Sequence, residues 1–111
     1  MKIIRITTDN EISVHGFPEG SIAEQNRQLR ALIGICCELY EHVMPNRLYT
    51  SLGASKRVTR TKGSCTGMLV DEEGVLRELD INAVGSYLYE GDKHGGIIAG
   101  NILIVGEYWD G

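Results

Sequence analysis

The sequence is short of almost everything that would announce a chemistry. Its three cysteines, Cys36, Cys37 and Cys65, form an odd set whose adjacent members cannot easily bridge each other, which argues against a secreted disulfide framework. Together with His15, His42 and His94 they would be enough ligands for a metal, but none falls at the paired spacing of a zinc site. Neither Cys65 nor Ser64 sits in a nucleophile motif with a histidine. Gly91, Gly95, Gly96 and Gly100 lack the strand–Gly-x-Gly-x-x-Gly–helix context of a dinucleotide site, and no Lys of a phosphate-binding loop accompanies them. The residues therefore indicate no catalytic group, no metal ligand and no cofactor, and the chain reads as a binding protein sooner than an enzyme. Long hydrophobic runs are missing too: nothing approaches the roughly 20 apolar residues that span a bilayer. The opening MKIIRITTDNE has a very short apolar run and no small-residue cleavage site, so neither signal peptide nor anchor is expected, and a cytoplasmic protein is expected. Positive charge is also scarce. A net charge of -4 disfavours nucleic acid or an acidic membrane as partner, because phosphate binding draws on Lys and Arg displacing counterions.

What is present suits one α+β domain over residues 1–111, with an ordinary apolar fraction of 42%. A chain this small buries roughly 65% of its unfolded surface, and a homo-oligomer is expected as the natural way to bury more. Ile3, Ile4 and Ile6, then Ile12 and Val14 alternating with Ser13 and His15, predict a hairpin turning at Asp9-Asn10. Ser21 stands three before Glu24, a capping box. It opens a helix whose apolar stripe is Ile22, Leu29, Leu32 and Ile33 and whose stop is Gly34. Alternation from Ile35 to Met44 predicts a third strand, and Arg47 to Leu52 fits helix or strand equally. Gly53 to Gly67 reads as a loop, long for a passive connection. Met68 to Val70 reads as a strand, Asp71-Glu72-Glu73-Gly74 as a solvated turn, and Val75-Leu76 as the return. The acidic run Asp71-Glu72-Glu73 is also a nominal cation or acid/base candidate. Asn82 caps a short helix through Tyr89 that Gly85 weakens. After a polar connection from Asp92 to Gly96, Ile97-Ile98 and then Asn101 to Val105 give the most continuous apolar run, expected in a central strand buried on both faces. Tyr108 and Trp109 are expected to pack locally. The fold expected is a small mixed or antiparallel sheet covered on one face by one main helix, with a second short helix.

The succession Leu29-Arg30-Ala31-Leu32-Ile33-Gly34, Leu69 to Leu76, Asn82, Tyr87-Leu88-Tyr89, and Ile98 to Gly106 resembles the family catalogued as domain of unknown function 3846. It covers about two thirds of the chain. Members are small α+β proteins of phages, plasmids and gut bacteria with no established enzymatic activity, so the resemblance implies a mobile-element protein. The basic stretch Lys56 to Lys62 is an insertion where members vary, and no functional residue is carried over.

That stretch is the strongest candidate site. Lys56, Arg57, Arg60 and Lys62 place four positive charges in seven residues of a chain totalling -4, so the remainder carries -8. Arg57, Arg60 and Lys62 alternate with Thr59, Thr61 and Ser64 beside Gly63, mixing charged forks, hydroxyls and backbone amides as binding of a small phosphorylated ligand requires. A solvated surface loop is the plain alternative. Tyr40, Tyr49, Tyr87, Tyr89 and Trp109 are candidate stacking surfaces for a base, or core edge. The expectation is a sponge for a nucleotide-type defence signal, an anti-defence role. The competing expectation is a protein–protein inhibitor of a host enzyme, its acidic surface mimicking nucleic acid. A small hydrolase of such a nucleotide is a third.

Overall fold

Two β-branched runs joined by a residue that tolerates positive φ make the first hairpin. In the computed structural model, which describes residues 2–47, 66–91 and 96–106, β1 (Lys2–Ile6) pairs antiparallel with β2 (Ile12–Gly16), Ile4 opposite Val14. Asn10 turns the chain at φ 66°, a region Asn enters more readily than most residues. Thr7 locks the turn: its N–H donates to Glu11 O at 2.9 Å, and its Oγ1 accepts from the N–H groups of Asp9 and Glu11.

Helix α1 (Ile22–Ile33) starts where Ser21 Oγ accepts from the Glu24 N–H at 3.2 Å. Its other end is held from outside. Arg5 Nε donates to Leu32 O at 2.6 Å and Asn101 Nδ2 to Ile33 O at 2.9 Å, satisfying two of the carbonyls that a helix end leaves open. Leu29 and Ile33 are buried, with Leu32 against them. Ile22, expected on the same stripe, is 76% exposed, because the helix meets the sheet only through its C-terminal half.

The described strands form one antiparallel sheet in the order β2-β1-β5-β4-β3, with β3 at Tyr40–Val43, β4 at Thr66–Asp71 and β5 at Ile102–Gly106. The apolar run of β5 occupies the centre, as its composition predicts. The period-2 alternation of strands sends Ile3, Leu69 and Leu103 to the α1 face, where Cys37 joins them. It sends Ile6, Met68, Val70, Ile102 and Ile104 to the opposite face. There α2 (Ala83–Tyr89) lays Val84, Leu88 and Tyr89 over them. The sheet is thus covered on both faces, and the α+β class holds.

Asn82 fixes α2 in place. Its Oδ1 accepts from the Gly85 N–H at 2.8 Å, and its Nδ2 donates to Ile6 O at 3.1 Å and Gly100 O at 3.0 Å. Gly85 belongs there for a packing reason: a Cβ would crowd Ile102 and Ile98 at 3.1–3.2 Å. Ser86 Oγ adds a second tie, accepting from the Ile98 N–H at 2.9 Å.

Three expected strands are corrected. Ile35–Leu39 is a loop, with strand pairing confined to Tyr40–Val43, because the Cys37 N–H turns back to Gly34 O at 3.1 Å. Val75-Leu76 is not a return strand: residues 72–78 form one long turn, closed by the Arg77 N–H on Glu73 O and the Leu79 N–H on Gly74 O. Ile97-Ile98 lies outside the ladder, and Ala99 makes a single bridge to Ile81. Arg47–Leu52, the body of the Gly53–Gly67 loop, the Asp92–Gly96 connection and the Tyr108-Trp109 tail lie wholly or largely outside the described residues. No helix among the described residues is long and apolar enough to cross a membrane.

Candidate functional site at the loop end of the sheet

Where α1 ends and β4 runs out, two loops come side by side, 34–39 and 72–80. The Glu72 N–H donates to Leu39 O at 3.0 Å, one step beyond the Tyr40–Asp71 pair of the β3–β4 ladder. Arg77 Nη1 then crosses to Cys36 O at 2.6 Å, and Arg77 Nη2 pairs with Asp71 Oδ2. Asp71 Oδ1 accepts from the Glu73 N–H at 2.9 Å, which starts the long turn. Gly74 lets that turn press on the neighbouring strand segment, since a Cβ there would overlap the Ala99 carbonyl. Gly100, at φ 90°, returns its N–H to Asp80 O at 2.8 Å. Asn101 Oδ1 accepts from the Thr8 N–H at 3.2 Å while its Nδ2 holds Ile33 O. These ties enclose a cleft of about 410 Å³ whose lining includes Thr8, Ile35, Cys36, Arg77, Leu79 and Asn101.

Several polar groups of this cleft are occupied with one another, while Arg77 Nε is buried without a hydrogen-bond partner. Asp71, whose side chain is 2% exposed, is compensated by Arg77 and a backbone amide, so the expected solvated acidic turn is a buried ion pair at its first residue. Cys37 is buried, its thiol donating to Leu39 O at 3.5 Å. Burial pushes the Cys37 thiol above its ordinary pKa, against the opposing pull of the Arg77 and Arg30 charges. A protonated thiol is a poor nucleophile. Among the described residues no three His, Cys, Asp or Glu side chains come together to hold a metal ion.

What the site offers a visitor is apolar. Ile35 is fully exposed at 101%, Leu76 is 79% exposed, and Leu39, Val75 and Leu79 also stand in solvent. Around them the same two loops carry Glu38, Glu72, Glu73, Glu78 and Asp80, with Arg77 as their one cation. No family model, curated protein or solved structure matches this chain.

The residues singled out in the sequence, Arg57, Thr59, Arg60, Thr61, Lys62 and Ser64, all lie outside the described residues, as do Cys65, His94, Tyr49 and Trp109. Of the other candidates, the structure brings Cys36, Cys37 and Asp71 to the loop-end cleft and leaves His15 and His42 on separate strands. Among the described residues, Tyr40 and Tyr87 have separate surroundings: the Tyr40 hydroxyl donates to Asn26 Oδ1, while Tyr87 packs under the Arg47 guanidinium at 4.3 Å. Sequence reasoning missed Ile35, Leu76 and Arg77. The one signal that pointed to them was local: Gly34 before Ile35 and Gly74 before Val75 mark both segments as loop starts.

Proposed function

We propose that this chain is a non-enzymatic binding protein that takes a protein partner at the loop end of its sheet, through a partner segment in which apolar residues alternate with Lys or Arg. The carrying observation is Ile35, wholly exposed at the lip of the cleft. A large aliphatic side chain gains about 1.5–3 kcal/mol on burial, and several of them rimmed by polar residues mark a contact surface. The five carboxylates of the two loops attract a cationic partner and repel an acidic one. An inhibitor of a host enzyme, carried by a phage or other mobile element, is a role that fits such a surface. The test is fluorescence anisotropy with two short peptides of equal hydrophobicity, one alternating Leu with Lys and one Leu with Glu. The basic peptide binds, the acidic one does not, and Ile35→Asp with Leu76→Asp weakens binding by about tenfold or more. Equal affinity for both peptides, or binding retained by the variant, overturns the reading.

A second reading is favoured by the charge distribution: four cations in seven residues within a chain otherwise at -8. Repulsion elsewhere would confine a small nucleotide-type anion to Arg57, Thr59, Arg60, Thr61, Lys62 and Ser64. Calorimetry against a panel of cyclic and linear nucleotides tests it, with Arg57→Ala/Arg60→Ala as the variant that loses binding.

A further inference from the structure

The sheet ends in two strands that are not alike. β3 is four residues long and exposes Glu41 and His42, and short length and charge both blunt an edge against pairing. β2 carries no such charge. Ile12-Ser13-Val14-His15-Gly16 contains no Asp, Glu, Lys, Arg or Pro, and it pairs residue for residue with β1 without a bulge. On its face away from α1, Ile12 is 68% and Val14 62% exposed.

The phase of the hairpin shows which backbone groups of β2 point outward. The Thr7 N–H bonds to Glu11 O, and bonded and non-bonded pairs alternate along an antiparallel ladder. Arg5–Ser13 and Ile3–His15 are therefore the bonded pairs, and the N–H and C=O groups of Ile12, Val14 and Gly16 face away from the sheet. We infer that β2 pairs antiparallel with β2 of a second copy, the two-fold axis passing at Val14, so that two five-stranded sheets join edge to edge.

In this register every outward group finds a counterpart: Val14 faces the partner's Val14, and Ile12 faces the partner's Gly16. The side chains agree with the backbone. Ile12 and Val14 meet apolar neighbours on one face. On the other, Ser13 stands opposite the partner's His15, repeating across the axis the hydroxyl–imidazole hydrogen bond that Ser13 Oγ and His15 Nε2 make within the strand at 2.8 Å. No like charges are brought together, which is the usual obstacle to pairing a strand with itself. A Cβ on Gly16 would meet nothing within 4 Å, so the strand has an open place beside it that the partner's Ile12 covers. A strand of five residues spans roughly 17 Å, and its contact falls short of the roughly 800 Å² per partner of a standard interface. The dimer is accordingly reversible and concentration-dependent.

Sedimentation equilibrium from about 1 μM to 1 mM tests the pairing. Wild-type protein passes from monomer to dimer. Val14→Lys, which sets two ammonium groups against each other at an exposed position, stays monomeric throughout while the melting temperature of dilute protein is unchanged. The register is read separately in a Cys36→Ser/Cys65→Ser background. Val14→Cys brings two thiols together across a bonded pair of about 5.5 Å Cα separation, within disulfide range, and mild oxidation yields a covalent dimer. Ile12→Cys, opposite Gly16, yields none. A wild-type protein monomeric at every concentration, a Val14→Lys protein that still dimerises, or Ile12→Cys cross-linking as fast as Val14→Cys overturns the inference.

Discussion

Replacing Asn82 should unseat α2 from the sheet, at a cost that the geometry allows to be worked out. The side chain is fully buried, and three hydrogen bonds use it: two donated by Nδ2 to Ile6 O and Gly100 O, one accepted by Oδ1 from the Gly85 N–H. Asn82→Ala strands the Gly100 carbonyl and the Gly85 amide and takes one of two bonds from Ile6 O, which the β1–β5 ladder also engages. Each buried group left unpaired costs about 1–3 kcal/mol, so a loss of about 3–5 kcal/mol is expected, against about 5–15 kcal/mol for a whole domain. Asn82→Asp separates the two halves of the interaction. It keeps the acceptor for Gly85 but points a carboxylate oxygen at two carbonyl oxygens, and protonation of that carboxyl restores one donor. The aspartate variant therefore binds a proton more tightly folded than unfolded, so its deficit is smallest in acid and grows as pH rises. Urea titrations at several pH values, with an unchanged slope, measure both effects. A loss below about 1 kcal/mol for the alanine variant, or an aspartate deficit independent of pH, would refute the reasoning.

Ile35→Asp and Leu76→Asp, on side chains already in water, should change unfolding free energy by no more than about 0.5 kcal/mol each while removing peptide binding; a large stability loss would show that these residues pack instead of bind. In a Cys65→Ser background, a thiol reagent should modify Cys36 at once and Cys37 only on opening of the structure, which timed mass spectrometry resolves. Because burial raises the Cys37 pKa in the folded state, its contribution is fully present below the ordinary thiol value and is lost as pH rises through the higher folded one. Wild-type protein should therefore lose stability in the alkaline range relative to Cys37→Ala. Arg57→Ala/Arg60→Ala should leave the melting temperature nearly unchanged in differential scanning calorimetry.

The elements written in local signals were legible. Ser21 and Glu24 announce α1, Asn10 announces the hairpin, Asn82 announces α2, and the unbroken apolar run of β5 announces a strand with neighbours on both sides. The loop-end site was not legible, for a physical reason. Ile35, Cys37 and Leu39 alternate as strand residues do, and alternation reports period without reporting whether anything covers the outward positions. What makes 35–39 a loop is the turn of Cys37 back to Gly34 and the Arg77 guanidinium on Cys36 O, 41 residues away in sequence. Likewise the acidic run at Asp71 reads as solvated until Arg77 is found beside it. The face that α2 covers depends on β5 lying between β1 and β4, a fact of topology that no window of the sequence contains.

Amide chemical-shift mapping by NMR, on titration with the Leu/Lys peptide, locates the docking surface. Perturbed amides should cluster in Ile35–Leu39 and Glu72–Asp80, and the perturbation should be lost in the Ile35→Asp/Leu76→Asp protein. Shifts confined to Lys56–Lys62, or spread without a cluster at the loop end, would contradict the proposed function.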